Sequence, residues 1–316
     1  MPTPASTPMT SHKPARGAGL YLSAIFLFSV MSAIVKALSD TVPAGEAVFF
    51  RSFFAFPLIL IPLIARGELQ DGLKTARPLD HIIRGVIGTL AMGLMFAGLG
   101  MISLPEATAI TFAAPLFVVI LAAIILGEKI RAIRISAVGI GLVGVVIMIW
   151  PRLGNGLAAA DMAAVGALCI LGATAARAYV QIHVRRMVTT EKPATIVFYF
   201  TLTSTVAALF TLPFGWVVPD GQTLVLLILT GIIGGAGQIL ITFSYRYAPA
   251  SFLAPYDYSS MLFALVIGYV WFSEVPTVMV LSGAALVIAG NALVIWRERQ
   301  LGLERARQRG MADQKG

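Results

Sequence analysis

The chain has 316 residues, of which 58% are hydrophobic and only 12% charged. A soluble domain carries about a quarter charged residues, so a chain-wide deficit excludes a water-facing globular surface and leaves the bilayer as solvent. The net charge of +8 invites a nucleic-acid reading, which the placement of the charges argues against, and the single cysteine, Cys169, excludes an internal disulfide framework or a cysteine-based zinc site within one chain.

Residues 1–17, rich in Pro, Ser and Thr, read as a disordered cytoplasmic tail. A bilayer core about 30 Å thick takes roughly 20 helical residues. Windows of that length and apolarity follow at 18–38, 43–65, 82–102, 105–126, 133–151, 159–181, 194–214, 222–245, 250–272 and 278–296, so the chain is expected to be an all-α polytopic membrane protein of ten transmembrane helices. Residues 298–316 form a basic cytoplasmic tail.

Polar side chains at membrane depth are expensive and therefore point to function. The first span carries Lys36 near its end, either a snorkelling interfacial lysine or a gate residue. The second carries Glu46 and the deeper Arg51. Glu106 opens the fourth span, where a carboxylate complements a helix N-terminus and where a coupling role is the alternative. Thr111 and Phe112 lie further along it. The sixth span holds Arg177 and Tyr179, the first of them an interfacial anchor or a gate, and the eighth holds Gln238 with Tyr245 and Tyr247 close behind. In the ninth, Tyr256-Asp257-Tyr258 follows Pro255. An aspartate between two tyrosines is the sharpest candidate site, with an aromatic belt at the interface as the alternative. Lys36, Glu46, Arg51, Glu106 and Arg177 are expected to gate or couple. Thr111, Phe112, Tyr179, Gln238, Tyr256, Asp257 and Tyr258 are expected to bind substrate.

With ten spans, most of the 23 Lys and Arg residues fall on one side, including Arg84 at the start of the third span, and the opposite loops hold only Arg152. The positive-inside rule then places both termini in the cytoplasm, and the basic loops face an anionic leaflet. A single constant shift lays Glu128 on Glu274, Ser136 on Ser282, Gly144 on Gly290, Ile149 on Ile295 and Trp150 on Trp296. Each repeat, 18–151 and 152–297, then holds five spans, an odd number, so the second enters the membrane upside down. Inverted repeats around a midplane site are a mark of secondary transporters.

Enzymatic readings find little to stand on. There is no G-x-x-x-x-G-K-[ST] loop, and Gly139-Ile-Gly141-Leu-Val-Gly144 lies inside an apolar run where glycines let helices approach. The three histidines, His12, His81 and His183, lie in the tail or near cytoplasmic ends, and no metal or other cofactor is expected.

The stretches AVFFRSFFAFPL (47–58), LPEATAITFAAPLFVVILAAIILGEKI (104–130) and APASFLAPYDYSSMLFALVIGYVWFSEVP (248–276) resemble the drug/metabolite transporter superfamily, in particular proteins with two EamA-type repeats. The resemblance covers about residues 18–297. It implies a transporter of a small organic metabolite in the bacterial inner membrane, acting by alternating access, with the lipid bilayer as surroundings and a homodimer left open. It leans toward members that import riboflavin-like vitamins, while related repeats handle S-adenosylmethionine and amino acids. It also implies an ion pair, structural or gating, at Arg51. Met261 stands where the repeat would place the counterpart of Pro115, which leads us to expect the two halves to bend differently.

Overall fold

In a computed structural model, the residues described are 13–65, 67, 73–126, 132–153, 162–187, 190–248 and 250–293. The expectations for residues 1–12, for Glu128 and its basic loop, and for the 298–316 tail fall outside them. The described residues are helical, with no strand among them. The protein is an all-α polytopic membrane protein built of two inverted five-span repeats.

The first span is one helix, Pro14–Leu38, starting four residues inside the segment expected to be a disordered tail. Pro14 explains the early start: its fixed φ and missing N–H suit a first helical turn. The second span, expected as one helix, is two, Ala44–Phe53 and Phe56–Ala65. Pro57 lacks the N–H that would bond the Phe53 carbonyl, so the chain turns at Phe54 and Ala55. The third span runs Pro78–Leu99 rather than from residue 82, again with proline at its start. The fourth divides into Leu104–Thr111 and Ala114–Leu126 around Pro115. The fifth to eighth are Ala132–Leu153, Met162–Met187, Pro193–Leu209 and Gly221–Tyr247. A short 3-10 turn, Leu212–Phe214, takes up the end expected for the seventh. The ninth begins as Ala250–Leu253, tightens into a 3-10 stretch at Ala254–Tyr258 containing Pro255, and resumes as Ser259–Phe272. The tenth is Val278–Leu293.

Six of these helices are long and apolar enough to cross a membrane outright, and three shorter ones are apolar. The ninth shows how such a helix is oriented. Met261, Ala264, Ile267 and Gly268 are buried while Leu262, Val266 and Val270 point outward. Lipid is as apolar as leucine, so the outer face needs no polar residues, and close packing holds the inner one.

The packing repeats itself when the halves are exchanged. The first span packs on the eighth and the sixth on the third. The second packs on the eighth and the seventh on the third; the first meets the ninth and the sixth meets the fourth. Second meets seventh, and fourth meets ninth, about the same pseudo-two-fold axis. The fifth and tenth spans cross there through glycine. Gly144 rests against the Gly283 carbonyl, and its counterpart Gly290 rests against the carbonyl of Ala137, the counterpart of Gly283. A Cβ at Gly144 or Gly290 would collide with that backbone.

Candidate functional site

The two mid-membrane breaks fall at matching places. Phe112 and Tyr258 are repeat counterparts, and their rings meet edge to face at 5.3 Å. Pro115 removes a donor from the fourth span, and the Leu116 and Phe117 amides both turn to the Ala113 carbonyl. The Phe112 carbonyl is left without a helical partner and accepts instead from Asn291 Nδ2 of the tenth span at 2.8 Å. Thr111 turns its hydroxyl back onto the Thr108 carbonyl.

Toward the face where the N-terminus enters, Tyr21 donates to Asp257 Oδ1 at 2.7 Å. Its ring meets Tyr245 edge to face at 6.1 Å. Arg177 lies within electrostatic reach of both Asp257 and Tyr21 without forming a direct ion pair. These groups come from the first, sixth, eighth and ninth spans, so they face one another across the bundle. Yet Asp257, Arg177 and Tyr245 are all solvent-accessible. These groups lie together toward the N-terminal face and are accessible from outside the bundle. Arg177, near the end of the sixth span, lies close to Asp257 and Tyr21. Tyr256 packs with Tyr21, Ile25, Ala248 and Leu253, and its ring lies 5.9 Å from that of Phe252. Tyr179 stacks on His183 at 6.0 Å, on the side of its helix toward the N-terminal face. Gln238 is half-buried on the eighth span, one turn before Thr242, which bonds its carbonyl.

The far face is sealed. Lys36 does not snorkel: its ammonium meets Glu274 Oε1 at 3.0 Å and donates to the carbonyls of Ile102 at 2.6 Å and Leu99 at 3.2 Å. Glu274 Oε2 accepts from the Leu104 amide at 2.8 Å. One ion pair thus ties the ends of the first and ninth spans to the turn between third and fourth. Ser103 accepts from the Glu106 amide at 3.3 Å, and Glu106, 2% exposed, sits at the third helical position, where a capping-box glutamate belongs. Glu46, 1% exposed, accepts from the Val217 amide at 3.1 Å and so holds the turn between seventh and eighth. At the end of that turn Asp220 caps the eighth span through the Thr223 amide, and those bonds hold its carboxyl below the usual carboxylate range.

At the N-terminal face Glu191 accepts from the Thr75 hydroxyl and the Ala76 amide, both at 3.0 Å, and approaches His81 Nε2 at 3.6 Å. Burial at the rim of the bundle pushes this carboxyl up, but the three donors outweigh it and hold the carboxyl below its ordinary value.

The ion pair expected at Arg51 is absent among the described residues. Arg51 is 9% exposed and turns to the ring of Phe200, whose centroid is 6.0 Å away, while Glu46 is engaged elsewhere. Arg84, counted from the sequence only among the cytoplasmic charges, lies inside the third span and meets the same ring at 3.7 Å. Sequence reasoning also passed over Tyr21, Glu274 and Asn291. A lone tyrosine in an aliphatic first span, a carboxylate at the end of the ninth and an amide within the tenth were the available signals.

The profile of the EamA-like transporter family matches the chain twice, at residues 15–150 and 164–296. The pseudopaline exporter CntI of Pseudomonas aeruginosa is 30% identical, covering 86% of this chain and 93% of that protein. An S-adenosylmethionine uptake transporter of Rickettsia felis is 28% identical over 90% of this chain and 94% of its own length. A riboflavin transporter of Rhizobium johnstonii is 26% identical over 86% and 88%. One solved crystal structure shares the fold, with a TM-score of 0.61 and 20% identity, covering 91% of this chain and 99% of that one. Two matches to one family, spanning nearly all ten helices, make this chain a member of the EamA-like transporter family.

Proposed function

We propose that this membrane transporter carries a small organic metabolite across the bacterial inner membrane by alternating access, with no chemical step, about the crevice of Tyr21, Arg177, Tyr245 and Asp257. The observation that carries this reading is the Tyr21–Asp257 hydrogen bond with Arg177 within electrostatic reach, on spans drawn from both repeats. Asp257 and the tyrosine hydroxyls take up donor groups of the ligand, and Phe112 and Tyr258, edge to face, offer an aromatic floor. Arg177 balances Asp257 in the resting site, so the ligand brings little net charge of its own. A zwitterionic metabolite of the amino-acid kind fits this balance. A neutral flavin is the second reading, favoured by the aromatic floor.

The repeats are taken as 18–151 and 152–297, with both termini on the basic, cytoplasmic side. The described conformer is then closed outward by Lys36 and Glu274 and open inward at Asp257. Alternation requires that pair to part while the rim bonds of Glu191 hold.

Counterflow in proteoliposomes with radiolabelled S-adenosylmethionine, riboflavin and amino acids tests the proposal. We expect saturable exchange of one of them. At matched membrane expression, Asp257→Asn and Tyr21→Phe should each reduce affinity about tenfold, the worth of one charge-assisted hydrogen bond. Exchange unchanged in both variants would move the site elsewhere in the bundle.

A further inference from the structure

Between the second, third, seventh and eighth spans, two arginines converge on one ring. The Arg84 guanidinium lies 3.7 Å and the Arg51 guanidinium 6.0 Å from the Phe200 centroid. The two cations feel each other's charge. Arg51 Nε, Arg84 Nε and Arg84 Nη1 are buried without a hydrogen-bond partner, and neither side chain forms an ion pair among the described residues. Glycine makes the room. Gly88 lies against Phe200 and Arg84 Nη1, and Gly234 lies against Arg51 Nε and Met31, so a Cβ at either position would intrude on the pair.

Buried cations are ordinarily paired, because an uncompensated one loses its hydration and gains nothing in return. Two of them side by side, with donors unused, are tolerated in a protein when an anion visits. Arg84 rests over Phe200 with Arg51 at the edge of the same ring's reach, and an arginine held over a ring keeps N–H edges free for an acceptor. Guanidinium forks match the two oxygens of a carboxylate. The central crevice differs in this respect, since its Arg177 already faces Asp257.

We propose that Arg51 and Arg84, held together beside Phe200, form an anion site that binds the carboxylate of the transported metabolite. This inference rests on the transporter reading and narrows it to substrates bearing a carboxylate.

The test uses the purified full-length protein and paired probes of equal shape, methionine against methioninamide, with inorganic phosphate as a third, all at constant ionic strength. Thermal unfolding reports binding, because a ligand that favours the folded state raises Tm with its concentration. Methionine should raise Tm and methioninamide should not. Arg84→Gln and Arg51→Gln should each weaken the methionine effect about ten- to a hundred-fold, as expected for losing charge-assisted bonds. Arg84→Lys, which keeps the charge and loses the fork, should fall between. Without any anion, Arg84→Gln should melt no lower than the parent protein, since it removes an uncompensated charge. Equal stabilisation by the amide, an unchanged methionine response in Arg84→Gln, or a lower Tm of Arg84→Gln in anion-free buffer would overturn the assignment. Phosphate stabilising as strongly as methionine would overturn it too, leaving an inorganic-anion site. The two readings fail differently. Solute counterflow that persists undiminished in Arg84→Gln sinks the anion site alone. Carboxylate-dependent Tm shifts in a protein that exchanges no solute sink the transport reading alone.

Discussion

Lys36 and Glu274 show what a charged side chain at the end of a span can accomplish. The ammonium satisfies two carbonyls at the end of the third span, and the carboxylate satisfies the first amide of the fourth. Both side chains are largely shielded from solvent, so removing one partner strands the other. Glu274→Gln should weaken the far-face seal by about 1–3 kcal/mol. The expected outcome is faster thiol labelling, from the far face, of a cysteine placed at Ala107, which is fully buried beneath the seal. Labelling at the parent rate would show that the ion pair does not hold this face shut. The sequence offered Lys36 as a candidate, but Glu274 only as a repeat marker. No spacing rule joins residues so far apart in the chain, so their pairing is a tertiary fact. Arg84 was hidden for a related reason: near the start of its span it counted as one more cytoplasmic charge, and its convergence with Arg51 on Phe200 is a tertiary fact.

At the level of the helix, the bends carry the argument. The apolar windows located every span, because lipid demands about 20 apolar residues whatever the neighbours. They could not show where a span breaks. Pro57, Pro115 and Pro255 are readable as letters, but whether proline kinks a helix or divides it depends on who satisfies the carbonyls it frees. For the fourth span Asn291 does so, from the tenth span. Asn291→Leu should leave the Phe112 carbonyl buried and unpaired, at about 1–3 kcal/mol. A lower Tm together with increased hydrogen exchange at Ala113 and Leu116 is the expected signature. Asn291→Leu with parent-like exchange would mean that the fourth span closes its own bend.

For the molecule as a whole, the exchange of halves is the organising fact. The five-span period was legible because Glu128, Gly144, Ile149 and Trp150 recur in register. The pairing of first with eighth and sixth with third was not, because it joins the two halves across the axis. The described helices predict a strict alternation of exposure. Single cysteines at Asp220 and Thr277 should react with an impermeant thiol reagent from one side of the membrane only. A cysteine at Lys74 should react only from the other. Same-sided labelling of Thr277 and Lys74 would be incompatible with the inverted arrangement.

The bond from Asn291 to the Phe112 carbonyl has one more consequence. Val145, the residue at the matching position of the other half, has no polar atom to offer the Tyr258 carbonyl. A machine made of two identical parts would have no preference between its two resting poses, just as an unloaded seesaw has none. Here one bend is fastened by a side-chain amide from the other half, and no such amide stands at the matching place of its twin. A single net hydrogen bond of about 1 kcal/mol weights a two-way balance roughly fivefold. The duplication supplied the pivot, and one unmatched amide gives the balance its tilt.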